Sequence, residues 1–224
     1  MYLSRCELNV NKRGARELLG NPQRMHAAVM SCFPRSMADV NGRVLWRVDN
    51  QGEITYLYLV SEMKPDLAVI QEQAGWPETP TAVTKDYSPL VDHLEKGQVF
   101  HFRLTANPVK QEFVKGGRGK RVGHKTPEHQ ISWLVDRSGT AGFKILQQTL
   151  PNGSDVPGVD VVRSEQRTFP KRADDGRKVS LRVVTFEGVL EVEDPALMRK
   201  TLIEGIGRAK AYGCGLMTLS PIRR

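Results

Sequence analysis

Long apolar runs are missing from this chain. No stretch approaches the roughly 18 consecutive apolar residues a membrane-spanning helix needs, and the opening MYLSRCELNVNKR lacks the apolar centre of a secretory signal. The expectation is a cytoplasmic protein without a membrane partner. Cysteine is scarce as well. Cys6, Cys32 and Cys214 are odd in number, far apart and without paired metal-ligand spacing, which argues against a disulfide framework and for buried, reduced thiols. Acidic residues are short in one half only. Residues 1–96 carry 11 Lys or Arg against 12 Asp or Glu, whereas residues 97–224 carry 22 against 13, so the formal +8 of the chain comes from its second half. A one-sided cationic surplus suits a polyanion, because each neutralised phosphate releases condensed counterions. Charge alone leaves open the second reading, that the surplus serves solubility.

With 224 residues and 39% apolar content the chain can bury one large core or two small ones. MYLSRCELNV alternates as a strand, and NPQRMHAAVMSCF offers Asn21 as N-cap and Pro22 at the first helical position. GRVLWRVD and EITYLYLVS read as a hairpin around Asn50, Gln51 and Gly52, KPDLAVIQEQAG as a short helix, and QVFHFRLTANP as a strand. The first half thus reads β-α-β-β-α-β, with the stretch from Gly75 to Leu94 carrying no clear pattern. The second half repeats the plan from FHFRLTA: a helix in TPEHQISWLVDR, two long β-prone runs joined by PKRADDGR, a helix entered at Asp194-Pro195 with Met198, Leu202 and Ile206 on one stripe, and a closing strand GLMTLSPI. The expected class is α+β, two tandem ferredoxin-like (RRM-like) units over residues 1–95 and 96–224.

Between that last helix and strand lies GIGRAKAYGCG. Nucleotide-binding glycine motifs follow a strand and open a helix, so that phosphate meets the helix N-terminus. Here the order is reversed, which disfavours a nucleotide-binding enzyme. Two readings of Gly205, Gly207, Gly213 and Gly215 with Arg208 and Lys210 stay open: a seat for a nucleic-acid backbone, or a glycine-rich helix stop and turn.

The opening MYLSR, the helix holding MHAAV and ending in CFP, the strand FHFRLTANPVK, the run VTFEGVLEV and the terminal GIGRAKAYGCGLMTLSPI together resemble the CasE-type CRISPR repeat endoribonucleases. These are the RNA-processing subunits of the type I-E Cascade complex. The resemblance spans nearly the whole chain. It implies a metal-independent endoribonuclease with no cofactor that cuts repeat transcripts at the base of a hairpin and retains the processed crRNA among other Cascade subunits. It also implies a catalytic histidine on the first helix, which by position is His26. At about 100° per residue His26 borders the apolar stripe of Met25, Ala28, Val29, Cys32 and Phe33, a rim position where an imidazole can reach substrate, as acid or as base. Family members can carry a Tyr three residues earlier, where this chain has Gln23. Arg24 points away from His26 and is left out of the site.

RNA grip is assigned to one basic hairpin, with Arg163 and Arg167 beside Phe169 and Lys171 on one strand face, Lys178 and Arg182 on the returning strand, and Arg172 and Arg177 between them. In the family a hairpin of this region enters the major groove of the repeat stem, and Arg there can read guanine edges. A twisted, solvated hairpin is the plain alternative. Arg35 and Lys210 are read as phosphate clamps. Residues 110–125, with six Lys or Arg and one Glu, read as a mobile loop facing RNA, another subunit or only solvent. His124 and His129 are spaced wrongly for a helical metal pair, so no metal site is expected. The isolated protein is expected to be a monomer that keeps its product. The rival from another class is a non-catalytic scaffold that binds hairpin RNA.

Overall fold

The fold is taken from a computed structural model, which describes residues 1–34, 43–76, 78–113, 117, 119–170 and 178–222. In chain order the first half holds β1 (Tyr2–Leu8), α1 (Arg13–Gly20), α2 (Pro22–Met30), β2 (Leu45–Gln51), β3 (Ile54–Ser61), α3 (Ala68–Ala74), β4 (Val83–Asp86) and α4 (Ser88–Val91). Its sheet is antiparallel in the order β2-β3-β1-β4, the ferredoxin-like arrangement. Asn21 caps α2 as its side chain accepts from the Gln23 amide at 2.9 Å, and Pro22 fills the position that needs no amide donor.

The second half holds β5 (Val99–Ala106), β6 (Val109–Glu112), β7 (Lys120–Gly123), α5 (Pro127–Ser138), β8 (Phe143–Ile145), β9 (Gln147–Thr149), β10 (Asp155–Pro157), β11 (Val159–Pro170), β12 (Lys178–Val192), α6 (Pro195–Glu204) and β13 (Met217–Pro221). Its sheet runs β11-β12-β5-β13, with β8 added beside β12. In the terms of a β-α-β-β-α-β unit this is the same order again. Asp194 caps α6 through the amides of Ala196 and Leu197, and the expected stripe of Met198, Leu202 and Ile206 is buried.

Three expectations are corrected. A helix precedes α2: α1 buries Ala15 and Leu18 and carries the Arg13–Glu17 ion pair at i, i+4. The strand from Val99 does not close the first sheet. Val83–Asp86 closes it, pairing with Tyr2–Arg5, and β5 opens the second. Residues 110–125 are not a plain loop, since β6 and β7 pair antiparallel from Val109↔Gly123 to Glu112↔Lys120.

One core cluster lies under the helices of the first half, with Cys6, Met25, Val29, Trp46, Leu57 and Leu59 among its members. The other fills the second half and takes in Leu45 and Val60 from the first. β3 is therefore buried on both faces, which is why EITYLYLVS reads as nearly continuous apolar sequence. Between the halves sits Arg47, 2% exposed, with all its guanidinium nitrogens engaged. It binds Asp49, donates to the Arg103 carbonyl at 2.7 Å and the Leu216 carbonyl at 3.2 Å, and reaches Thr218 Oγ1 at 2.9 Å. Arg103 adds a contact to Asp49 at 3.3 Å. The three free cysteines are all buried, and burial pushes their thiols up to about 11 for Cys6 and about 12 for Cys32 and Cys214.

Candidate nucleic-acid interface

Two adjoining clefts of about 550 Å³ each open where the β6–β7 hairpin, the β11–β12 hairpin and the loop after α6 converge. Asn107, Val109, Arg121 and Arg208 belong to both. Lys110, Lys120, Lys125, Arg137 and Arg182 complete the cationic lining, and among the described residues no acidic side chain lines either cleft. The hairpins approach closely because residue 123 is glycine: a Cβ there would stand 2.5 Å from Cβ of Arg182. Asn107, 4% exposed, has an enclosed Oδ1 with no partner among the described residues, and so does Arg182 Nε. Unpaired buried polar atoms cost about 1–3 kcal/mol each, so a cleft that holds two of them has spare hydrogen-bonding capacity. Arg137 lies 4.4 Å over the Trp133 ring, and burial lowers its pKa.

The terminal loop has two sides. Its glycines Gly205, Gly207, Gly213 and Gly215 all take positive φ, as does Ala209. At three of them packing accounts for the residue. A Cβ at Gly213 would stand 2.6 Å from the Trp46 ring, one at Gly205 2.8 Å from the Gly215 carbonyl, and one at Gly215 2.9 Å from the Ile206 carbonyl. Their amides donate within the protein, Gly205 to Thr201, Gly213 to Lys210 and Gly215 to Thr105. These three shape the loop rather than line it. Gly207 and Arg208 are exposed at the cleft. Lys210 faces the other way: it is half-buried, and desolvation, with Arg43 as a like charge and Glu204 opposing, lowers its pKa.

The turn at Lys210–Tyr212 packs against α2, the helix of His26. Pro22, Met25, Ala28 and Val29 are buried and His26 is half-buried at their border. Its Nδ1 is enclosed without a partner among the described residues, and burial lowers its pKa below the ordinary histidine value. Arg24 is turned toward Glu17 of α1 at 3.3 Å, away from the imidazole.

The basic strand keeps Arg163, Arg167 and Phe169 on one face, as expected, and adds Glu165 between the two arginines. After a bulge between Val161 and Arg163, the side chains of Arg163 and Arg167 both pair with Glu165, and Phe169 is buried 5.0 Å from the Tyr212 ring. This face turns to the terminal loop, with its charge half cancelled, while Arg182 lines the cleft and Lys178 is exposed at the start of β12. Arg35, Lys171, Arg172 and Arg177 lie outside the described residues. Sequence reading gave no role to Arg43 or Arg137, and took Lys120, Arg121 and Lys125 only as part of the basic 110–125 loop. The signal for four of them was present as the excess of cations in residues 110–137, but which wall they form depends on the β6–β7 pairing. His124 and His129, five apart in sequence, stack ring on ring at 5.9 Å.

Two ferredoxin-like units, the second carrying a groove whose charged lining among the described residues is all cationic, define a class of protein built to hold a polyanion. The family model described as "CRISPR associated protein" matches residues 1–221. CRISPR-associated endoribonuclease Cse3 of Thermus thermophilus is 33% identical over 226 residues, covering 99% of this chain and 100% of the relative. The CRISPR system Cascade subunit CasE of Escherichia coli is 29% identical over 165 residues, 69% of this chain and 74% of that one. A structure of CRISPR endoribonuclease Cse3 bound to 19-nt RNA superimposes with TM-score 0.82 at 31% identity, over 99% of this chain and 100% of that one. The chain belongs to the CRISPR-associated protein family, and to its CasE/Cse3 type.

Proposed function

We propose that this chain is a CRISPR repeat endoribonuclease of the cytoplasm that holds a precursor hairpin in the cationic clefts, cleaves at its base and keeps the processed RNA within Cascade. What carries the reading is the packing of α2 on the Lys210–Tyr212 turn, which sets the His26 helix on one side of a loop whose other side is the cleft. In this reading residues 1–95 bring the imidazole and residues 96–224 bring the grip.

The chemistry needs no cofactor, because RNA carries its nucleophile beside the phosphate it attacks. The 2′-oxygen bonds to phosphorus, the bond from phosphorus to the 5′-oxygen of the next nucleotide breaks, one proton leaves the 2′-hydroxyl and one reaches the departing oxygen. The products are a 2′,3′-cyclic phosphate and a 5′-hydroxyl. His26 handles one of those protons. Its lowered pKa keeps the ring neutral at pH 7, in the form that accepts a proton, and the enclosure of Nδ1 leaves Nε2 to meet the RNA. Lys210, partly desolvated and beside the like charge of Arg43, gains from an anion and serves as a phosphate clamp. Gln23 stands where a proton-exchanging Tyr can stand and contributes at most a hydrogen bond.

The scaffold reading is favoured by one observation, that no described side chain orients His26. Repeat hairpin RNA in EDTA separates the two. Wild type should cut, and His26→Ala should cut about 10²–10⁴-fold more slowly with unchanged RNA binding. The acid limb of the wild-type rate should lie below pH 6.5, since the neutral ring persists down to its lowered pKa. Equal cutting by His26→Ala overturns the role of His26, and binding without cutting in both proteins supports the scaffold.

A further inference from the structure

Phe113, one residue past the end of β6, is 89% exposed. The chain has seven phenylalanines. Phe33, Phe102, Phe143, Phe169 and Phe186 are buried and Phe100 is half-buried, so Phe113 is the exception. A phenyl ring left in water forgoes the ~1.5–3 kcal/mol its burial contributes. Its neighbours argue against an apolar protein partner. Lys110, Gln111, Glu112, Lys120 and Arg121 of the same hairpin are all exposed and polar or charged. A bare aromatic ring beside Lys110, Lys120 and Arg121, with Glu112 the one acid among them and 3.7 Å from Lys110, fits a group that is planar on its face and anionic along its edge, which describes a nucleobase on its phosphodiester chain.

The placement agrees with that chemistry. Alternation along β6 puts Val109 and Gln111 in one row with Arg121 across the hairpin, and Phe113 follows just beyond the last paired residue, Glu112. Val109, Gln111 and Arg121 line the clefts, and so do Lys110, Lys120 and Val122 of the opposite row, so the whole hairpin borders the groove and Phe113 stands at its end. A base on Phe113 would stay joined to a backbone whose phosphates follow the hairpin's cations. Building on the RNA reading above, we propose that Phe113 is a stacking platform for an unpaired nucleobase of the bound RNA. A paired base has both faces covered inside the duplex, so the occupant comes from the flanks or the loop. Stacking accepts any base, so the ring adds affinity and register without a sequence code.

The test uses the full-length protein and repeat hairpins carrying 2-aminopurine at one unpaired position at a time. At one position emission should fall on binding wild type and stay bright with Phe113→Ala, while Phe113→Trp and Phe113→Tyr keep the quench. By anisotropy, Phe113→Ala should weaken binding about 5- to 150-fold, equivalent to ~1–3 kcal/mol, for hairpins with unpaired nucleotides and not for a blunt stem. Equal quenching by wild type and Phe113→Ala at every position overturns the proposal. So does equal weakening on both RNAs, which marks damage to the hairpin, and so does normal RNA binding with failed assembly onto protein subunits, which assigns the ring to a protein contact. If wild type binds neither RNA, the RNA reading itself fails, and that outcome is distinct from the other three.

Discussion

Strands β2-β3-β1-β4 of the first half and β11-β12-β5-β13 of the second trace the same antiparallel order. The first half nevertheless has 11 cationic against 12 acidic residues, and the second 22 against 13. The hairpin at the edge of the first sheet is made of strands of 7 and 8 residues, and its counterpart in the second has strands of 12 and 15. Only the second inserts another hairpin between its first strand and first helix. The shared order is set by packing one helical layer on one sheet twice over. The difference lies in what extends beyond the sheet, and in the function proposed above the RNA grip belongs to those extensions while His26 stays on a helix of the repeated fold. The first half contributes a rim histidine on a short helix, the second contributes a charged groove, and the terminal loop joins them.

The largest effect should come from breaking the joint between the halves. Arg47→Ala leaves Asp49 buried and short of its partner, and denaturant unfolding should show a loss of about 3–5 kcal/mol, nearer the lower figure because Arg103 still reaches Asp49 at 3.3 Å. A loss below 1 kcal/mol would mean that the seam contributes little. A smaller effect is expected where the second half's loop meets the first half's helix. Gly213→Ala forces a Cβ to within 2.6 Å of the Trp46 ring at φ +80, which should cost ~1–3 kcal/mol. Single-turnover cleavage at saturating RNA should fall further than RNA affinity, since α2 shifts while the cleft cations stay. The smallest effect is confined to the second half. Arg121→Ala should lower the slope of log K against log salt by about 0.7–0.9 and leave the saturated cleavage rate unchanged, and a changed rate would place Arg121 in the chemistry.

How much of this was legible follows from where each signal lies. Asn21-Pro22 and Asp194-Pro195 announce their helices because capping is local chemistry. α1 is silent: Lys12 offers no side-chain cap, glycines stand at both ends, and its helicity rests on burying Ala15 and Leu18 against the rest of the fold. β4 is a four-residue edge strand that is mostly exposed, so it shows no alternation. For the site, composition reveals that the second half is cationic, but assigning the charge to a surface needs the tertiary pairing. Arg121 looks like part of a loose loop until β6 and β7 pair, whereas Glu165 between Arg163 and Arg167 was legible all along, since the alternation that groups the two arginines puts it on the same face. The glycine run shows the limit most directly, because a close approach to Trp46 and a close approach to a phosphate leave the same mark in sequence.

The central claim, that the RNA's own ribose hydroxyl performs the cut beside His26, is tested most directly by replacing one oxygen. A repeat hairpin with deoxyribose only at the nucleotide 5′ to the cleavage site should bind wild-type protein as tightly as the all-ribose RNA and remain intact in EDTA. Cleavage of that substrate at the same phosphate would contradict the account.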